Sequence, residues 1–115
     1  MIPERGDLIV VDLGPTVGHE IRKARPCVVV QRDAFNRYGS TTIVCPVTDA
    51  KGRPETIVEI LIPATVAGAT KDSLVRCDQV RTVSVERLRS RLGSVPPDVM
   101  ERIDSGLRRM LDLDR

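Results

Sequence analysis

Over the first two-thirds of the chain, apolar and polar residues come in short runs, the pattern of strands with one buried face. Five such runs stand out: Asp7 to Leu13, Pro26 to Arg32, Ser40 to Val47, Thr56 to Ile62 and Ser73 to Cys77. Val and Ile dominate them, and these side chains fit a pleated surface. Turn residues separate the runs: Gly14-Pro15, the stretch from Asp33 to Gly39, the loop from Asp49 to Pro54, and Pro63. No helical crossover fits before residue 84. Parallel strands need such crossovers, so the pattern predicts antiparallel pairing in one barrel-like sheet.

The last third changes character. Ser84 is placed to cap a short helical turn through Leu88, and Arg91 to Val95 reads as a further short strand. Pro96-Pro97-Asp98 then opens a helix, with proline in the first turn and Asp98 and Glu101 near the end that favours acids. Met100, Ile103, Leu107 and Met110 recur at helical spacing with Leu111 beside them. That stripe predicts a helix laid over one face of the barrel, with packing against a partner subunit as the alternative.

Composition adds bounds. At 115 residues the chain suits one domain spanning 1–115. The 41% hydrophobic and 30% charged residues argue against wholesale disorder. Apolar stretches such as Leu8 to Val11 are too short to cross a bilayer, and the N-terminus lacks the pattern of a signal peptide. The expected location is the cytoplasm, with no membrane partner. Net charge is only +2, yet Lys23, Lys51 and Lys71 are the only lysines among 18 basic residues. Arginine's planar fork matches phosphate. GC-rich coding explains the bulk excess of arginine but not where particular arginines sit. Cys27, Cys45 and Cys77 each lie in a strand-like run, form no C-x-x-C pair and are not at zinc-ligand spacing from His19. They read as buried free thiols, with no metal site.

The chemistry concentrates in three places. The loop Gly14 to Pro26 carries the only histidine, His19, with Glu20 beside it and Arg22, Lys23 and Arg25 following. Pro26 biases Arg25 towards extended backbone at the mouth of a strand. A solvated basic loop would show the same composition. The second place is Arg76-Cys77-Asp78-Gln79-Val80-Arg81, where charges interrupt an apolar run; an ion pair at a strand end is the ordinary reason. The third is Thr48, after Pro46-Val47, which alone is also a turn-capping hydroxyl. Together they hold what phosphodiester cleavage requires: groups that move protons and cations for a crowded phosphorane. RNA brings its own 2′-hydroxyl nucleophile, so neither metal nor cofactor is required. Phosphate-binding glycine motifs and a G-x-S-x-G elbow are absent. Phe35 and Tyr38 are the only aromatics, too few for an extended stacking platform.

These residues, in order, resemble a family. Arg5-Gly6-Asp7, Val11 to Glu20, Arg25-Pro26, Asp33 to Arg37, Val44 to Thr48, Asp72 to Val83 and Arg91-Leu92-Gly93 look like the successive segments of the MazF/PemK toxins. The resemblance covers essentially the whole chain. It implies a dimeric, mainly β, SH3-like barrel with a C-terminal helix. It also implies metal-independent cleavage of single-stranded messenger RNA to 2′,3′-cyclic phosphate and 5′-hydroxyl ends, and a MazE-like antitoxin with a disordered tail. In the MazF branch the catalytic positions map to Arg25 and Thr48. In the Kid/PemK branch they map to His19, Arg76 and Asp78, and this chain carries both sets. Glu20, Arg22, Lys23, Gln79 and Arg81 are the expected RNA contacts. Two alternatives remain: a gyrase-binding toxin of the CcdB type, which relies on a C-terminal tryptophan that this chain lacks, and an SH3-like binding module, which lacks its aromatic groove.

Overall fold

The computed structural model describes residues 1–21, 23–64, 66 and 69–113. Seven strands and two helices follow in the order β1 (Asp7–Asp12), β2 (Ala24–Val29), α1 (Asp33–Asn36), β3 (Thr41–Asp49), β4 (Glu59–Ile62), β5 (Ser73–Arg76), β6 (Arg81–Ser84), β7 (Leu88–Ser94) and α2 (Pro97–Met110). The strands pair antiparallel in the order β4-β5-β3-β2-β1-β7, and β6 also pairs with β3. The ladder does not close, because β4 and β7 both end it. The expected mainly β, antiparallel fold with a C-terminal helix is present, and its curved sheet stays open instead of closing fully into a barrel.

The long β3 strand explains the curvature. Its first half, Thr41 to Val44, pairs with β6, and its second half, Val47 to Asp49, pairs with β5. On the other side it pairs with β2 through Val44, Cys45 and Pro46. Period-2 alternation then splits the apolar residues between two cores. Leu8, Val28, Cys45, Val47, Ile60, Ile62, Val75 and Cys77 face α2 and pack on Val99, Met100 and Ile103. Ile9, Val11, Leu13, Cys27, Val29, Val44, Val83 and Leu88 form the second core on the opposite face.

Several boundaries differ from the sequence expectation. Strand β3 runs on to Asp49, so Thr48 lies inside a strand instead of capping its end. Strand β4 starts only at Glu59, because the Thr56 hydroxyl accepts the Glu59 N–H at 3.0 Å and turns the chain there. The predicted turn after β2 contains the four-residue helix α1. Its Asn36 is buried, accepts from the Thr42 hydroxyl at 2.8 Å and donates to the Gln31 carbonyl at 3.0 Å, which pins α1 to β3. Ser84 caps a 3₁₀ turn, Val85–Arg87, by accepting from the Glu86 N–H at 3.2 Å.

Helix α2 starts where its prolines place it, but its buried face is Val99, Met100, Ile103 and Gly106, with Leu107 half-buried. Met110 and Leu111, expected on the stripe, are exposed. Gly106 is the point of closest approach. A Cβ there would stand 2.9 Å from Cys77 Sγ and 3.3 Å from the Ile57 carbonyl oxygen. The three cysteines are buried and free, as expected.

Candidate active site

Strands β1, β2 and β3 lie side by side, with Val11 opposite Arg25 and Cys27 opposite Pro46. The register that pairs Cys27 with Pro46, continued by two positions, sets Arg25 beside Thr48 on one face. Both side chains line an open cavity of about 470 Å³ together with Gly18, His19, Glu20, Ile21 and Lys23. The β1–β2 loop thus folds over the strand ends and brings His19, Arg25 and Thr48 to one place.

The loop has identifiable supports. The Leu13 N–H donates to the Lys23 carbonyl at 3.1 Å and closes its base. Glu20 is spent inside the loop: its carboxylate accepts the Val17 N–H at 3.0 Å, and its carbonyl accepts from the Thr16 hydroxyl at 3.2 Å. Gly14 has a φ of +65°, and a Cβ there would meet Arg87 Nη1 at 2.8 Å. Arg87 in turn donates to the Asp12 carbonyl at 3.2 Å and holds the exit of β1. Lys23 adopts a φ of +71°, a left-handed backbone that costs a non-glycine residue energy. That strain sits two residues from Arg25. His19 is exposed at the cavity wall. Arg22 lies outside the described residues.

Arg25 Nε and Thr48 Oγ1 are buried side-chain atoms with no hydrogen-bond partner among the described residues. Burying an unpaired polar atom costs about 1–3 kcal/mol. The fold leaves two such atoms adjacent at the end of β2 and β3, where rigid strands hold them in place.

Arg76 and Asp78 are differently arranged. Arg76 donates to Asp78 from Nε at 2.9 Å and from Nη2 at 2.7 Å, a bidentate pair. Glu59, opposite Arg76 on β4, adds a second carboxylate at 3.3 Å. The bonds to Asp78, then the nearby charges of Asp78 and Glu59, outweigh partial burial and hold the guanidinium more firmly protonated than usual. Thr48 pairs with Leu74, so Arg76 stands two positions along β5 on the face that Thr48 shares. Neither Arg76 nor Asp78 lines the cavity. Gln79 lies in the 3₁₀ turn Cys77–Gln79 after β5, half-buried. Arg81 stands opposite Val44 on β6, and its charge reaches Cys27, as does that of Arg25. Desolvation still dominates at Cys27 and pushes its thiol up to about 12.

Glu59 was not foreseen from the sequence. The only available signal was a carboxylate at an alternating position in an apolar run, which reads as a solvent-facing strand residue. Phe35 and Tyr38 are both exposed, on α1 and the turn after it, away from the cavity. Among the described residues, no cluster of three or more His, Cys, Asp or Glu side chains is arranged to hold a metal ion.

Known proteins match this chain over nearly all its length. Residues 4–111 fit the family described as PemK-like, MazF-like toxins of type II toxin–antitoxin systems. Endoribonuclease EndoA of Bacillus subtilis is 33% identical over 113 residues, covering 98% of this chain and 97% of that protein. The crystal structure of MazF from Deinococcus radiodurans superposes with a TM-score of 0.82 at 25% identity, covering 97% of this chain and 98% of that one. The same organism's MazE–MazF structure gives 0.74 at 26% identity, covering 97% of each chain.

Proposed function

This chain belongs to the PemK-like, MazF-like toxin family, and on that premise we propose that Arg25 and Thr48 carry its chemistry, with His19 assisting. It is an endoribonuclease, the toxin of a type II toxin–antitoxin pair. The observation that carries the site assignment is the pair of buried, unpartnered polar atoms, Arg25 Nε and Thr48 Oγ1, facing a shared cavity. Native folds leave few such atoms unpaired, so two of them side by side mark a place where another group binds. A phosphodiester offers the matching acceptors.

In the proposed reaction the 2′-hydroxyl of single-stranded RNA attacks the adjacent phosphorus and loses its proton. The P–O5′ bond breaks, and the 5′-oxygen gains a proton. The products are a 2′,3′-cyclic phosphate and a 5′-hydroxyl. Arg25 meets the charge that builds on the phosphorane oxygens, and Thr48 donates to a non-bridging oxygen. His19, exposed at the wall of the same cavity, serves proton transfer. Lys23 adds positive charge at the rim. Asp78 is committed to Arg76, so this pair ties the end of β5 to the turn that follows it and supports the strands that carry the site. Glu20 shapes the loop. No step calls for a metal or cofactor.

The partners follow from the same reading: single-stranded messenger RNA, a second copy of the chain, and a MazE-like antitoxin with a disordered tail. Among the described residues no helix is long and apolar enough to cross a membrane, and the proposed location is the cytoplasm. The test uses purified protein, a long single-stranded RNA and EDTA. Discrete fragments with 5′-hydroxyl ends are expected. Arg25→Ala lowers the single-turnover rate at least 100-fold, the usual cost of a lost preorganised donor. Near-normal cleavage by that variant would sink the assignment.

A further inference from the structure

Arg25 and Thr48 line a second cavity as well. It is more enclosed, about 270 Å³, and lies against Leu8, Pro26, Val47, Ile62 and Leu92. Leu8, Val47 and Ile62 are core residues whose buried side chains form its floor. Its rim is polar: Thr70, and Lys71 with Asp49, whose charged groups stand 3.4 Å apart. The two catalytic candidates thus form a wall between an open polar cavity and a narrow apolar slot.

The slot is shaped by an irregularity of the sheet. In the β1–β7 ladder Leu8 pairs with Gly93 and Ile9 with Arg91, which leaves Leu92 without a partner. This is a β-bulge, a device that re-aims a side chain and recurs next to active sites. Here it brings Leu92, an exposed residue of an edge strand, to the wall of the slot. Without the bulge, one-residue alternation would decide the direction of Leu92, and the slot would lose that wall.

Resting on the ribonuclease reading, we propose that this slot is the subsite for the base of one nucleotide flanking the scissile phosphate, and that Leu92 is a residue that sets base preference. The fit is chemical. Ligand cavities for larger molecules run from about 300 Å³ upward, so this one suits a single flat ring system. A base presents apolar faces to Leu8, Val47 and Leu92 and polar edges to Thr70, Lys71 and Asp49. Sequence readers of single-stranded RNA take splayed bases in this way. The chain's two aromatics lie elsewhere, so apolar packing in a slot replaces aromatic stacking.

The test maps 5′-hydroxyl ends on a long RNA of random sequence for wild type, Leu92→Trp, which fills the slot, and Leu92→Ala, which widens it. Tyr38→Ala, far from the slot, serves as control. Thermal melting and sedimentation confirm fold and assembly. The expected result is a change of at least tenfold in base preference at one position next to the cut in both Leu92 variants, with the control unchanged. Identical preferences in folded variants overturn the subsite while leaving the ribonuclease assignment standing. A uniform loss of cleavage with a fall in sedimentation coefficient also overturns it, by assigning the slot to contact between two copies. Wild-type protein that yields no 5′-hydroxyl ends defeats the underlying reading, and the subsite with it.

Discussion

Under the proposed assignment, Thr48 and Arg25 set activity against stability. Each holds a buried polar atom without a partner among the described residues, so the folded chain carries a desolvation penalty that bound substrate would relieve under that assignment. Thr48→Val keeps the shape and removes the hydroxyl. We expect its melting temperature to equal or exceed wild type, while the cleavage rate falls about 100-fold. A clear loss of stability in calorimetry would mean that the hydroxyl has a structural partner instead. Cys27 gives a second prediction at this scale. Burial raises its folded thiol from an ordinary value of 9.0 to about 12. The neutral thiol is therefore favoured by folding. Its stabilisation is complete below pH 9 and is lost as pH rises from 9 towards 12, where only the unfolded chain gives up the proton. The slope is at most about 1.4 kcal/mol per pH unit for one thiol. Urea midpoints at pH 8, 9, 10 and 11 should fall steadily, and Cys27→Ala should flatten part of that fall. The sequence already showed these cysteines in apolar runs, so their burial was legible. The missing partners of Arg25 and Thr48 were not, because absence of a contact is a property of the packed structure.

Among the elements, helix α2 and strands β1, β3 and β5 were legible because their periodicity extends over enough residues. What failed has local causes. Arg81 to Ser84 contains one apolar residue, Val83, and forms β6 only because the first half of β3 offers it an edge. The Thr56 hydroxyl diverted the start of β4 into a turn. Met110 and Leu111 lie past the point where α2 leaves the sheet, so their spacing alone could not bury them. Gly106 marks the closest contact of α2, on Cys77 and the Ile57 carbonyl. Gly106→Val should lower stability by about 1–3 kcal/mol through overpacking, even though valine suits a helix better than glycine. The readout is a lower urea midpoint at unchanged slope. Unchanged stability would show that α2 can slide outward without loss.

At the scale of the whole molecule, a net charge of +2 does not describe what RNA meets. Among the described residues several cations are already engaged in ion pairs: Arg76 with Asp78 and Glu59, Arg91 with Asp7, Arg102 with Glu55, and Arg5 with Asp104. Lys23 and Arg25 line the cavity, and Arg81 lies near enough for its charge to reach Cys27; none of the three has an ion pair among the described residues. About three phosphates neutralised on single-stranded RNA give a slope of roughly −2 for log affinity against log salt. Fluorescence anisotropy of the inactive Arg25→Ala variant should show a shallower slope than Thr48→Val, which keeps all the cations. Equal slopes would place Arg25 outside the phosphate track. The ordered set of segments made the family legible from the sequence, whereas the division between an unpaired Arg25 and a fully paired Arg76 emerged only from three-dimensional pairing.

The two unpartnered groups at the ends of β2 and β3 have one further consequence. Any molecule that supplies their missing acceptors stabilises the folded chain, by an amount that grows with the logarithm of its concentration above its dissociation constant. The heat resistance of this toxin inside a living cell is therefore a gauge of its occupation. A population of cells warmed in steps would reveal, by the temperature at which the protein drops out of solution, what fraction of it stands idle and what fraction is engaged.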